Sequence, residues 1–269
     1  MEYLVIFLAS AISSTAIIVF SVVKGGINKR SLYTDNSILF LGILTINLGI
    51  FYFTSISVYV LITVINGFIT LILYIVLLLF RFYRNPRRII PGDPNDIVSG
   101  ADGRVIYIKE LEENQMPVSV KKIRISELSE ITKTDLLKRP CYLIGIAMTL
   151  FDVHYNRAPL DGEVVMIKHT DGTAIGLNTP VSTVSNERNT VVFQREDGVK
   201  TGIVQIAARG VRRCIISIKE GEKIKRGEII GKIRWGSQFD MIVPRNSEIL
   251  IREGDQVYAG TTIIAKLLS

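Results

Sequence analysis

The chain has 269 residues, enough for one sizeable soluble domain and a membrane anchor. It is 48% hydrophobic and carries 32 Lys and Arg against 25 Asp and Glu, a net charge of +7. Its two cysteines, Cys141 and Cys214, have no metal or redox spacing. They read as small buried apolar residues, and neither a metal centre nor a compartment follows from them.

In chain order, the apolar excess comes first, within residues 1–80. An apolar run at 3–23 predicts one membrane span. The alternative is a secretory signal peptide, against which stands the absence of a basic stretch before the run, where only Glu2 precedes it. Residues 36–80 contain no Asp, Glu, Lys or Arg. As one helix they would extend roughly 67 Å, more than twice the thickness of a hydrocarbon core. They therefore predict two spans, 37–54 and 57–80, with a turn near Thr54–Ser57. Lys24, Lys29 and Arg30 follow the first span, and Arg81, Arg84, Arg87 and Arg88 follow the third. Both basic clusters lie on the cytoplasmic side if the N-terminus is outside and the last two spans form a hairpin. The expectation is a multi-pass anchor over 1–80 and a cytoplasmic domain over 81–269.

From residue 81 onward the composition is ordinary. A mildly basic domain beside a bilayer suits anionic lipid head groups, and the membrane tether argues against nucleic acid as the partner. Short apolar runs predict strands at Arg104–Ile108, Tyr142–Met148, Gly162–Ile167, Thr190–Phe193, Val204–Ala207 and Cys214–Ile218. The dipeptides Asp102-Gly103, Asp161-Gly162, Asp171-Gly172 and Asp197-Gly198 predict turns. Region 120–138 has the pattern of a helix or two. The predicted class is mainly β (α+β), preceded by transmembrane helices.

An internal repeat marks the C-terminal third. Glu220-Gly-Glu-Lys-Ile-Lys-Arg-Gly-Glu-Ile-Ile-Gly-Lys-Ile233 shares its frame with Glu253-Gly-Asp-Gln-Val-Tyr-Ala-Gly-Thr-Thr-Ile-Ile-Ala-Lys-Leu267. This frame is common in β-sandwiches of the biotinyl and lipoyl type, which is a fold analogy alone. No lysine stands in a carrier context.

Histidine is scarce, so His154 and His169 are the first candidates for a proton shuttle near neutral pH. His154 lies in Phe151-Asp-Val-His-Tyr-Asn-Arg-Ala-Pro159, among aromatic, acidic and amide groups, whereas His169 sits in an ordinary turn. Gly236-Ser237 follows Trp235, and composition alone reads it as a turn.

Four segments, in order, resemble the phosphatidylserine decarboxylase family over roughly 82–245. They are Phe82-Tyr-Arg-Asn-Pro-Arg-Arg88 leading into Val98-Ser-Gly-Ala-Asp-Gly-Arg-Val105; the His154 block with Gly162; Asn186-Glu-Arg-Asn189 with Val204-Gln-Ile-Ala207 and Arg212-Arg213; and Gly231-Lys-Ile-Arg-Trp-Gly-Ser-Gln238. Three positions depart from the family pattern. Gly100 stands where Pro is frequent, Ala208 where Gly is common, and Gln238 where Thr, Ser or Arg is usual.

The resemblance implies autocatalytic cleavage at Gly236-Ser237, with Asp102, His154 and Ser237 acting together. It implies a covalent pyruvoyl group made from Ser237, with no metal and no added cofactor. Chains 1–236 and 237–269 would stay together as a heterodimer. The implied reaction is decarboxylation of phosphatidylserine, or of archaetidylserine, through a Schiff base to that keto group. Asn156 and Arg157 are candidates for contacting the lipid head group. Two other readings of the same residues are a non-enzymatic membrane-tethered β-sandwich and a serine hydrolase. The second lacks a Gly-x-Ser-x-Gly elbow around Ser237.

Overall fold

A computed structural model describes residues 2–25, 29–54, 59–112, 132, 134, 136–137, 140–172, 185–207, 214–233 and 237–268. By packing it divides into two units, residues 1–84 with 149–151, and residues 85–148 with 152–269.

The first unit holds α1 (Glu2–Gly25), α2 (Lys29–Thr54) and α3 (Tyr59–Tyr83). Each contains a stretch long and apolar enough to cross a membrane: Tyr3–Phe20, Tyr33–Phe53 and Ile65–Tyr83. The helices run past the uncharged segments expected from sequence, because a helix ends where its hydrogen bonds end and not where its charges begin. Of the turn expected near 54–57, residues 55–57 lie outside the described residues.

Apolar side chains such as Phe7, Leu41 and Phe68 face outward, while Ser10, Asn47, Asn66 and Thr70 are buried. Asn47 Nδ2 donates to Ser10 Oγ (3.1 Å) and to Asn66 Oδ1 (2.9 Å), so one carboxamide ties all three helices. In a lipid setting such bonds and close packing, rather than the hydrophobic effect, hold helices together. Asp35 near the start of α2 pairs with Arg81 near the end of α3, which places these two ends at the same end of the hairpin.

The second unit is mainly β. Its strands are β1 (Asp96–Val98), β2 (Gly103–Leu111), β3 (Cys141–Met148), β4 (Tyr155–Arg157), β5 (Gly162–Thr170), β6 (Arg188–Gln194), β7 (Lys200–Ala207), β8 (Cys214–Ile216), β9 (Lys223–Ile224), β10 (Ile229–Ile233), β11 (Ser237–Pro244), β12 (Ser247–Ile249), β13 (Gln256–Val257) and β14 (Ile263–Leu267). Eight of them form one curled sheet in the order β13-β2-β3-β11-β7-β6-β5-β9. Two three-stranded sheets, β1-β14-β12 and β4-β10-β8, complete the unit.

All six expected runs lie on strands, with Cys214–Ile218 shortened to end at Ile216. The helical pattern at 120–138 lies outside the described residues apart from 132, 134 and 136–137.

The central strands of the large sheet are buried on both faces, which is why β3 reads as a near-continuous apolar run and not as an alternation, while β6 and β7 bury polar residues as well. One face carries Ile144, Ile146, Phe193, Ile203, Phe239 and Met241 into the main core. The other carries Leu143, Val192, Val204 and Ile242 into a second, smaller core. Among the strands that no expected run covers, β11 matters most for the site. It lies at the middle of the sheet, paired with β3 from Ser237↔Met148 to Pro244↔Cys141 and with β7 from Ser237↔Ala207 to Ile242↔Gly202.

The internal repeat is physical. β10 and β14 share one burial pattern. Gly221 and Gly227 in the first copy, and Gly254 and Gly260 in the second, all adopt positive φ, between 73° and 91°, at their turns.

Gly231 sits between β4 and β8, where a Cβ would lie 2.1 Å from the carbonyl oxygen of Ile215. Since the obstacle is backbone, Gly231→Ala should lower stability by about 1–3 kcal/mol in denaturant titrations of the detergent-solubilised protein. Gly67→Ala on α3, with nothing within 4 Å, should change it little.

Candidate active site

The residues singled out from sequence sit on the segments that join the two smaller sheets to the large one. Asp102 lies in the tight turn between β1 and β2 and is 2% exposed. Its Oδ1 accepts from the backbone N–H of Ala259 (2.7 Å), and its Oδ2 accepts from Arg88 Nη2 (2.7 Å). The Arg88 guanidinium also lies over the Tyr258 ring. Burial raises the Asp102 carboxyl above its ordinary range, and the Arg88 charge pulls it back. The repeat supplies a comparison. Asp161, in the equivalent Asp-Gly turn, accepts from the backbone N–H of Arg226 (3.0 Å). An Asp that caps the opposing hairpin is therefore a shared structural feature, and Arg88 is what sets Asp102 apart.

His154 immediately precedes β4 and is 2% exposed. Its Nδ1 stands 2.8 Å from the backbone carbonyl of Asp152. A carbonyl only accepts, so Nδ1 carries the proton and Nε2 holds the lone pair, the tautomer a general base needs. Burial lowers the His154 pKa below the usual 6.5, opposed by the Asp152 hydrogen bond and charge. The Nδ1 position that a triad gives to a carboxylate is held here by a main-chain oxygen, while Asp102 is engaged with Arg88 and Ala259. Asp152 acts electrostatically on both Asp102 and His154. Sequence reasoning passed over it; its place two residues before His154 was the available signal.

Ser237 opens β11, with its backbone between Met148 of β3 and Ala207 of β7. Gly236, the residue expected on the other side of the cleaved bond, lies outside the described residues, as do Ala208, Arg212 and Arg213. Upstream, the N–H of Ile233 at the end of β10 donates to the carbonyl of His154 (3.2 Å). His154 is thus hydrogen-bonded four residues before Ser237.

Asn156 is fully buried on β4. It belongs to a polar row created by strand register. His169, Asn189 and Gln205 stand opposite one another on β5, β6 and β7. Their side chains join in series: His169 Nδ1 to Asn189 Oδ1 (2.7 Å), Asn189 Nδ2 to Gln205 Oε1 (3.1 Å), and Gln205 Nε2 to Asn156 Oδ1 (2.8 Å). Arg157 donates to the carbonyl of Gly227 (2.7 Å) and to Asn85 Oδ1 (2.8 Å), so its head is positioned by the protein itself. Gly100 accepts from the Arg157 N–H (2.9 Å), and a Cβ there would fall 2.5 Å from the Phe239 ring. In this chain Phe239 fills the space that a side chain at position 100 would need.

Replacing Arg88 with Met should leave Asp102 buried without its cation. We expect a stability loss of about 3–5 kcal/mol in denaturant titrations followed by circular dichroism.

Comparison with known proteins places this geometry in context. A family model described as phosphatidylserine decarboxylase matches residues 75–265. A Methanocaldococcus jannaschii protein bearing the name of an archaetidylserine decarboxylase proenzyme is 42% identical over 191 residues, spanning 70% of this chain and 90% of that protein. A Geotalea uraniireducens phosphatidylserine decarboxylase proenzyme is 35% identical over 216 residues, spanning 76% of this chain and 92% of that protein.

Proposed function

The chain belongs to the phosphatidylserine decarboxylase family, and from that premise we propose that it cuts itself between Gly236 and Ser237 and decarboxylates a serine-headed membrane lipid to its ethanolamine counterpart. The observation that carries this reading is the anchoring on either side of residues 234–236. β10 is held in one sheet, between β4 and β8, and β11 is held in another, between β3 and β7. A break between them leaves both sides hydrogen-bonded, so the two pieces remain one folded unit. The residues present therefore suit a keto group at position 237, carried by a strand fixed in the sheet.

In this reading His154 takes the proton of the Ser237 hydroxyl, which adds to the Gly236 carbonyl. The amide becomes an ester, elimination frees the Gly236 carboxylate, and one water replaces nitrogen, which leaves as ammonia. The product is a pyruvoyl group at residue 237. That group supplies an electron sink for the pair of electrons left when CO₂ departs. His154, its Nδ1 fixed by Asp152, then serves as the acid that returns a proton to the product. Asp102 holds Arg88 and closes the turn between β1 and β2. Asn156, buried and oriented by Gln205, and Arg157, held by Gly227 and Asn85, stay the candidates on β4 for the head group.

The three apolar helices support a multi-pass membrane anchor over residues 1–80, with the catalytic domain over 81–269. The Asp35–Arg81 pair supports the hairpin of α2 and α3, and the basic clusters after the first and third spans favour a cytoplasmic catalytic domain. The substrate then arrives by lateral diffusion. The duplicated hairpins favour a biotinyl-like arrangement of the C-terminal part.

Full-length protein in detergent, given vesicles of phosphatidylserine or of archaetidylserine, should release CO₂, and Ser237→Ala should release none and stay a single chain. A Ser237→Ala enzyme that still decarboxylates would overturn the reading. His154→Ala should slow self-cleavage by about 10²-fold or more. Because burial lowers the His154 pKa, its base form persists to lower pH than that of an ordinary histidine. Self-cleavage timed on gels should therefore lose its rate on acidification with a midpoint below that of a free imidazole.

A further inference from the structure

Two of the first residues of β11 break the rule for a central strand. Phe239, Met241 and Val243 face the main core, but Gln238 and Asp240 project from the opposite face, and both are buried. A carboxamide and a carboxylate inside a sheet are tolerated only when their hydrogen bonds are supplied. Here they are supplied in a closed triangle. Gln238 Nε2 donates to Asp240 Oδ1 (2.7 Å) and to the Tyr107 hydroxyl (2.9 Å), and that hydroxyl donates to Asp240 Oδ2 (2.7 Å).

The sheet is shaped to admit this triangle. Register sets Asp240 opposite Gly145 of β3, which is opposite Tyr107 of β2. Since Gly145 has no side chain, the Tyr107 ring crosses that strand to reach Asp240; a Cβ at 145 would lie 2.3 Å from the ring. A bulge between Val105 and Tyr107 adjusts the aim of the ring. Lys109 Nζ lies 4.7 Å from the ring centroid. Burial raises the Asp240 carboxyl to about 6 against the bonds from Gln238 and Tyr107 and the Lys109 charge, so the strand bears a cost at this point.

A cut at 236–237 changes what residue 237 is. It ceases to be tethered on both sides and becomes a chain end, where fraying is least costly. Yet a reacting carbonyl must stay within a fraction of an ångström of its working position. The side chain of the next residue, fixed in the interior, replaces the lost tether.

We propose that Tyr107, Gln238 and Asp240 form a latch that holds the new chain end at residue 237 in its reacting position, making them positioning residues for decarboxylation. This rests on the self-cleavage reading above. Before the cut the latch is redundant, because residue 237 is still bonded to residue 236.

The test uses full-length Gln238→Leu, Tyr107→Phe and the double variant, in detergent with phosphatidylserine as the probe. Expected are two chains and borohydride labelling at wild-type levels in every variant, with kcat lower by about tenfold in Gln238→Leu, KM within about twofold, and the double variant no slower than Gln238→Leu. If Gln238→Leu fails to fold, Tyr107→Phe, which loses one hydroxyl, carries the test with a reduced kcat at unchanged KM. Wild-type kcat in these variants, or an activity loss fully accounted for by uncut chain, overturns the latch. A wild-type enzyme that turns over as one unlabelled chain instead overturns the self-cleavage reading and the latch with it.

Discussion

β11 lies at the centre of an eight-stranded sheet and directly follows the bond that this protein is proposed to break. A strand in that position must keep its place without the covalent link that delivered it. Its pairing with β3 and β7 supplies part of the hold, and the apolar contacts of Phe239, Met241 and Val243 supply another. The rest of the 237–269 piece is similarly woven in: β13 joins the edge of the large sheet beside β2, and β14 lies between β1 and β12. Separation of the two pieces would expose the main core, so cleavage is compatible with a stable fold.

The duplication gives the site its frame. In each copy an Asp-Gly turn faces a hairpin whose backbone N–H bonds to the Asp carboxylate, at Asp102–Ala259 and at Asp161–Arg226. Symmetry of this kind is a folding device. Function enters where the copies differ. Arg88 binds the second oxygen of Asp102, and His154 with Asp152 precedes β4 close to the end of β10. The same turn motif closes both hairpins, and the two copies differ in the side chains gathered around them.

Much of this was legible in the sequence. Uninterrupted apolar runs marked the three helices, and short Val- and Ile-rich runs marked β2, β3, β5, β6 and β7, because burial on one or two faces writes itself into local composition. β11 was not legible. Gln238 and Asp240 interrupt its pattern, and nothing local shows that Tyr107, more than a hundred residues earlier, satisfies them across a glycine. The role of Arg88 was hidden for a related reason. It reads as one charge in a basic cluster flanking a span, and only the fold turns it toward Asp102. Asp102 and His154 were singled out from sequence, but the hydrogen bonds around them, with Arg88, Ala259 and the Asp152 carbonyl, emerge only in the structure.

A lipid substrate gives the helical unit its purpose. Its outward face is largely apolar, and Ser10, Asn47 and Asn66 turn inward and bond to one another, as suits a structure solvated by hydrocarbon. The proposed chemistry, however, turns on one residue of the other unit. The most direct measurement is the intact mass of the purified protein under denaturing conditions. Two species are expected, one ending at Gly236 and one beginning at residue 237, the latter lighter by one ammonia than a peptide starting with serine. A single species at the full-chain mass, from a preparation active on phosphatidylserine, would contradict the account.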